Sequence, residues 1–240
     1  MFNFFRILFS PIIAILDFIT KYFKTIVFLT IIYFVVTPSN ENLTDVNSHA
    51  NLQKIELTGP IMDVSKTLED IQKAKEDKNI KGVLFVVNSP GGAVAPSVEL
   101  AYAIKELKEI KPVVVYASGV IASGSYYASI WANKIIANPG SIVGSIGVIM
   151  QGVNTEELME KIGVSTQTVK AGKYKESGTP TRKWFDYEEK QLQSVIDDTY
   201  NMFISDVASA RNLDVKNHTL FADAKIFTSK QAKEVGLVDE

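Results

Sequence analysis

The chain has 240 residues, 46% of them hydrophobic and 22% charged, which is enough to close one packed domain and too apolar for a disordered chain. Its 25 basic residues against 27 acidic ones give a net charge of −2, with no basic footprint for nucleic acid, and that partner class is excluded. The lack of cysteine excludes disulfides, thiolate metal sites and a cysteine nucleophile, and a histidine mechanism has only His49 and His218 to draw on.

The amino end reads differently from the rest. Phe4 to Val36 is strongly apolar, interrupted by Arg6, Asp17, Lys21 and Lys24, and its cleanest part is Thr25 to Val36. A bilayer core needs about 20 apolar residues, so Tyr22 and Phe23 join the span and the flanking lysines snorkel to the headgroups. Arg6, Lys21 and Lys24 precede the stretch while Glu41 and Asp45 follow it, which keeps the amino end in the cytoplasm and exports the bulk of the chain. No A-x-A-like site follows the stretch, so an uncleaved single-pass anchor in the inner (cell) membrane is expected. Ile7 to Thr20, with Pro11 and Asp17 inside it, suits an amphipathic helix lying in the interface. The expected organisation is an anchor over 1–38, a polar linker over 39–51 and one domain over 52–240 on the exported side.

Within that domain, Ile80–Val87 and Pro112–Tyr116 are continuous apolar, β-branched runs that suit strands buried on both faces. Between them, Ala95 to Lys108 carries Leu100, Ala103, Ile104 and Leu107 at helical spacing. A helix over Ser123–Ala132, a strand over Lys134–Ala137, a helix over Thr155–Ile162 and a strand over Ser165–Val169 follow. A long helix spans Tyr187–Arg211, and Lys225–Asp239 reads as a short strand and helix stopped by Gly236. The alternation predicts α/β layers with right-handed crossovers. There is no internal repeat and no phosphate-binding GxxxxGK[ST] loop, and the glycine spacing of Gly140–Gly147 is wrong for a nucleotide turn.

Two glycine-bearing turns follow the buried strands, where open α/β sheets gather their sites. Asn88-Ser89-Pro90-Gly91-Gly92 lets the backbone approach a ligand and aim amides outward, or is an ordinary tight turn. In the second, Ala117 to Tyr127, Ser123 stands where a helix begins. Its hydroxyl can reach an electrophile with the Gly124 N–H beside it, or can serve as an N-cap. Taken together, VVNSPGG and ASGSYYAS resemble the ClpP/crotonase superfamily and, within it, the S49 signal peptide peptidase A family. The resemblance continues through Gly140–Met150, Val169–Pro180 and Phe221–Glu240.

The resemblance implies a ClpP/crotonase-like α/β fold, with Ser123 as nucleophile, Lys175 as general base and Ser145 orienting the lysine amine. It further implies oxyanion N–H groups from Gly91 and Gly124, with Gly92 shaping the turn, and no metal or cofactor. Sequence alone does not separate Lys173 from Lys175; the family pattern does. The family commonly has SGGYY where this chain has SGSYY, so Ser125 becomes the rival nucleophile. A lysine with a reference pKa of about 10.4 acts as a base near neutrality only when desolvation or positive neighbours such as Lys170, Lys173 and Lys183 favour its neutral form. His49 and His218 lie in polar segments and suit the surface, while Tyr126, Tyr127 and Trp131 suit the core.

The expected activity is hydrolysis of apolar peptides, chiefly remnant signal peptides, through an acyl-enzyme. A crotonase-like acyl-CoA enzyme and an inactive membrane scaffold are the alternatives. Ala171–Lys183 lacks the apolar periodicity to pack on its own core, so a neighbouring copy is expected to order it. Family members with one catalytic unit form rings, which implies a homo-oligomeric ring here.

Overall fold

A computed structural model describes residues 17–25, 27–33 and 51–240, which fall in two units, Met1–His49 and Ala50–Glu240. In the first unit, residues 17–25 and 27–33 are helical, and Phe18 packs on Tyr22 at 4.8 Å between ring centroids. Among the described residues no helix is long and apolar enough to cross a membrane, so the expected anchor finds no support there. Residues 26 and 34–36 of the apolar stretch, and the linker from 39 to 50, lie outside the described residues.

The second unit runs β1 (Leu52–Thr58), α1 (Ser65–Glu76), β2 (Gly82–Ser89), α2 (Val94–Lys108), β3 (Val113–Ala122), α3 (Gly124–Ser129), β4 (Lys134–Ala137) and β5 (Ile142–Gly144). It continues through α4 (Glu156–Lys161), α5 (Asp186–Arg211), a 3-10 turn at Val215–Leu220, β6 (Ile226–Thr228) and α6 (Ser229–Glu234). The sheet order is β1-β2-β3-β5-β6 with β4 also on β3, and every pair is parallel except β5 with β6. The mixed α/β sheet expected from the alternation is therefore present. Phe85, Val87, Val113, Val115 and Ala117 from the two central strands are fully buried, as strands covered on both faces require. Leu100, Ile104 and Leu107 of α2 close one face at helical spacing.

β3 is longer than its apolar run implies. Its first part, Val114–Ala117, pairs with β4, and its last part, Val120–Ala122, pairs with β5. The segment expected as a turn from Ala117 is thus strand up to Ala122. The register against β2 slips between Val87 and Ser89, and Asn88 fills the irregularity by accepting a 3.0 Å hydrogen bond from the Val120 N–H. A Cβ at Gly119 would stand 2.5 Å from Asn88 Oδ1, so a side chain there would displace the amide that holds Val120. The strand expected over Ser165–Val169 is not formed: residues 161–170 are all exposed, and among the described residues no strand pairs with them. β-branched alternation without a ladder partner does not make a strand.

α5 is only partly attached to the body. Its buried residues are Phe203, Ile204, Val207 and Ala208 in the carboxy-terminal half and Glu188 in the first turn, and α4 buries none. At the far end, Tyr126 is fully buried and its hydroxyl donates to the Leu237 carbonyl at 2.7 Å, fastening the last residues to α3. Tyr126→Phe removes that bond with little change of shape and is expected to cost about 1–2 kcal/mol, read as a lower urea midpoint at unchanged m-value.

Candidate active site

Ser123 joins the end of β3 to the start of α3. Its backbone is at φ 53° and ψ −125°, a region L-residues rarely adopt and one that costs about 1–3 kcal/mol unless the surroundings impose it. They do so by two bonds: the Ser123 N–H donates to Gly144 O of β5 at 2.8 Å, and its carbonyl accepts from the Tyr127 N–H at 3.0 Å. Its side chain makes no capping bond to α3, so the N-cap reading of this serine is set aside. The half-buried residue instead lines a cavity of about 100 Å³. Val94 and Val98 of α2, Met202 and Phe203 of α5, and Tyr127 wall it, and Val148 and Ile149 lie at its side. Such a space takes one apolar side chain.

The PGG turn lies directly against this elbow. A Cβ on Gly91, whose φ is +92°, would stand 2.6 Å from Gly124 N and 2.8 Å from Ser123 Cβ. Ile61 forms a parallel bridge here: its N–H donates to Gly91 O at 2.9 Å and its carbonyl accepts from the Ala93 N–H at 2.8 Å. In a parallel bridge the residue between those two groups points its own N–H to the other side. Gly92 and Gly124 both line the cavity with Ser123, whereas the Gly91 N–H donates to Ser89 Oγ at 3.2 Å. Gly91, at positive φ, makes the turn, and Gly92, expected to shape it, is the residue on the cavity. Two backbone amides flanking a hydroxyl in a partly closed pocket can stabilise an anion forming on an atom bound at that hydroxyl.

Ser125 is not available as a nucleophile. It is fully buried, and its hydroxyl accepts from the Ala122 N–H at 2.9 Å while lying 2.6 Å from Ser89 O and 2.9 Å from Ala122 O. One hydroxyl therefore ties the end of β2 to the end of β3. Ser145, at φ 51°, donates its N–H to Lys225 O at 2.7 Å and directly follows the carbonyl that fixes Ser123. It is half-buried, and its hydroxyl has no hydrogen bond among the described residues. His218 sits on the 3-10 turn against Val215 O and Tyr200, off the cavity, and His49 lies outside the described residues.

Lys175 is elsewhere. It is exposed, does not line the cavity, and belongs to the segment that leads from α4 to α5. Within the chain, that segment makes several contacts of its own. Lys173 lays its amine over the Tyr187 ring at 4.4 Å and the Tyr174 ring at 5.5 Å, and its carbonyl faces the Tyr187 hydroxyl at 3.4 Å. Lys170 pairs with Glu176 at 2.6 Å, and Arg182 makes two 2.8 Å bonds to Glu188. The Lys175 side chain has no partner among the described residues, whereas the Lys173 amine is engaged by two rings. The Arg182 bonds hold the Glu188 carboxyl down to about 2, well below the usual carboxylate range. A depressed carboxylate stabilises above its unfolded pKa, so this pair is intact at neutral pH and its contribution declines only between about pH 4 and pH 2. Sequence reasoning missed Asn88, Ser97, Arg182 and Glu188. Ser97 is buried, back-bonds to Ala93 O at 2.7 Å and blocks any side chain at Gly124, none of which has a local signature.

Comparison with known proteins follows this geometry. The model described as peptidase family S49 matches residues 105–240. A protein of Methanocaldococcus jannaschii, provisionally named a protease, is 49% identical over 174 residues, which are 72% of this chain and 55% of that protein. A provisionally named signal peptide peptidase of Enterococcus faecium is 35% identical over 216 residues, covering 84% of this chain and 63% of its own. This chain thus spans between about half and two thirds of those relatives. A solved serine-to-alanine variant of a membrane-bound stomatin-specific protease has the same fold, with a TM-score of 0.52 at 15% identity over 78% of this chain and 77% of its own. The two share a mixed α/β fold, which in this chain is built round a strand–elbow–helix junction. The chain belongs to peptidase family S49.

Ser125→Ala leaves Ser89 O without its hydroxyl partner and the two turns unlinked. It is expected to lower stability by about 1–3 kcal/mol, measured by chemical denaturation as a lower midpoint.

Proposed function

We propose that this protein is a serine endopeptidase that hydrolyses apolar peptides, remnant signal peptides among them, through a Ser123–Lys175 dyad. The observation that carries the reading is the backbone of Ser123, held at φ 53° beside the cavity that Gly92 and Gly124 also line. Ser123 Oγ attacks the scissile carbonyl carbon, its proton passes to the neutral Lys175 amine, and the carbonyl oxygen takes the negative charge under the Gly92 and Gly124 amides. Collapse breaks the C–N bond, the leaving amine takes the proton from the lysine, and an ester on Ser123 Oγ remains. Water, deprotonated by the same lysine, then releases the acid. Ser145, next to the carbonyl that fixes Ser123, orients the amine. An acyl-CoA enzyme of this fold needs no serine in a strained conformation, which weighs against that alternative.

The two halves of the dyad belong to different copies of the chain. Tyr187, at the start of α5, holds the backbone at Lys173, while Thr199, Met202 and Phe203 of the same helix stand at the Ser123 cavity. Twelve to sixteen residues of helix separate these points, roughly 18–24 Å at 1.5 Å per residue, and a lysine side chain reaches only about 6 Å. A second chain supplies what the first lacks. Val153, Leu158, Ile162, Val164 and Val169 are exposed around the lysine-bearing segment, and Ser177 Oγ there is buried without a partner among the described residues. Such a contact is heterologous, and a rotation that closes makes it the ring proposed here.

The apolar Thr25–Val36 stretch and its flanking bases support a single-pass anchor in the cell membrane, with residues 52–240 as the catalytic domain on the exported side. The full chain is then expected to stay with membranes on alkaline extraction, and its appearance in the wash would refute the anchor.

A serine-directed fluorophosphonate tests the chemistry. The full chain in detergent is expected to be labelled on the peptide containing Ser123, and Ser123→Ala to lose labelling and peptide cleavage together. Lys175→Arg is expected to be as inactive as Lys175→Ala, because a guanidinium stays protonated and accepts no proton. An active arginine variant, or labelling that survives Ser123→Ala, contradicts the dyad.

A further inference from the structure

Lys175 is a free side chain between two fixed neighbours. Tyr174 on one side packs edge-on against Tyr187 at 5.4 Å, and Glu176 on the other accepts from Lys170 at 2.6 Å and from Arg182 at 3.3 Å. Arg182 is where these restraints meet the body of the fold. Its guanidinium spans Glu176, the residue next to Lys175, and Glu188, in the first turn of α5, and it lies 4.2 Å from the Phe185 ring. Glu188 in turn accepts from the Phe185 N–H at 2.9 Å, so the same carboxylate caps α5 and holds Arg182. The Glu188 side chain is 0% exposed and that of Arg182 20%, so the carboxylate is withdrawn from water and the guanidinium largely so. An exposed loop without apolar periodicity needs no such buried pair merely to exist. A loop that must deliver one amine to a fixed point does, because an error of about 1 Å at a reacting group costs on the order of a hundredfold in rate.

We infer that Arg182 is a positioning residue for the reaction: bonded at once to Glu188 and Glu176, it sets where the Lys175 amine is presented from the amino end of α5. The inference rests on the proposed Ser123–Lys175 chemistry for its consequence, and on the loop's own geometry for its cause. The planar fork of arginine fits both oxygens of Glu188 while a further N–H reaches Glu176; a lysine has no such fork and cannot make all three contacts in one plane. Glu176→Gln separates the two functions of Arg182, because it weakens the link to the residue beside Lys175 and leaves the Glu188 pair in place.

The test uses the full chain in detergent, with Arg182→Gln, Arg182→Lys and Glu176→Gln beside the wild type. An apolar peptide substrate gives kcat, KM and the pH profile, thermal unfolding gives Tm, and a lysine-specific endoproteinase probes residues 170–183. Expected are a fall in kcat of at least tenfold in Arg182→Gln at near-constant KM, a displaced pH profile, partial recovery in Arg182→Lys, and a smaller kcat loss in Glu176→Gln at wild-type Tm. New cleavage after Lys173 or Lys175 should accompany the loss. Wild-type kcat and pH profile in Arg182→Gln, in a protein that Lys175→Ala inactivates, overturn the inference, as does a loss that follows Tm alone across the three variants. A wild type that neither labels at Ser123 nor cleaves overturns the enzymatic reading by itself. The proteinase then still decides on the brace: opening of residues 170–183 in Arg182→Gln upholds it, and a wild-type digestion pattern overturns it.

Discussion

The hydrogen bond from the Ser123 N–H to Gly144 O is the contact on which the site depends, because it fixes a residue that would otherwise leave an unfavourable backbone region. It exists only because β3 changes partners along its length. Where β4 ends, β5 takes over beside Val120–Ala122 and brings Gly144 to the elbow, and β6 supports β5 in the opposite direction. The cost of the elbow is thus met by long-range sheet pairing, and the hydroxyl it carries is left unbonded to α3.

The same logic explains why two glycines in the PGG turn are not equivalent. Gly91 supplies the positive φ, and its carbonyl is consumed by Ile61; Gly92 has no room for a side chain against the Ile61 backbone and is left with its amide towards the cavity. Ser125 then welds this turn to the elbow. A buried hydroxyl is spent here on rigidity, so the two turns beside the cavity are tied together.

Much of this was legible in the sequence. β2 and the first part of β3 announced themselves in the β-branched runs Ile80–Val87 and Pro112–Tyr116, α2 by its spacing, and the elbow by two linear motifs whose order is specific. What was not legible depended on distant partners. Ala117 to Ala122 reads as a turn because its glycine answers to Asn88, and its last residues answer to β5, itself hidden in a glycine-rich string. The place of Gly92 on the cavity turns on Ile61, some thirty positions upstream, and the burial of Ser125 turns on Ser89. Ser165–Val169 had strand composition and, among the described residues, no strand to join. Glu188 caps α5 behind a phenylalanine, which no capping signature describes.

The central claim is that one chain holds the serine pocket and the lysine segment at separated stretches of α5, so that a complete site needs two copies. The direct measurement is recovery of activity on mixing two dead proteins, Ser123→Ala and Lys175→Ala, in detergent that permits subunit exchange, with exchange verified by mass-distinguishable subunits. If neighbours share the site, equal mixing pairs an intact serine with an intact lysine at about a quarter of the interfaces of a closed ring, and activity should return towards that fraction of the wild type. No recovery despite complete exchange would mean that Ser123 and Lys175 act within a single chain, and the account given for α5 would be wrong.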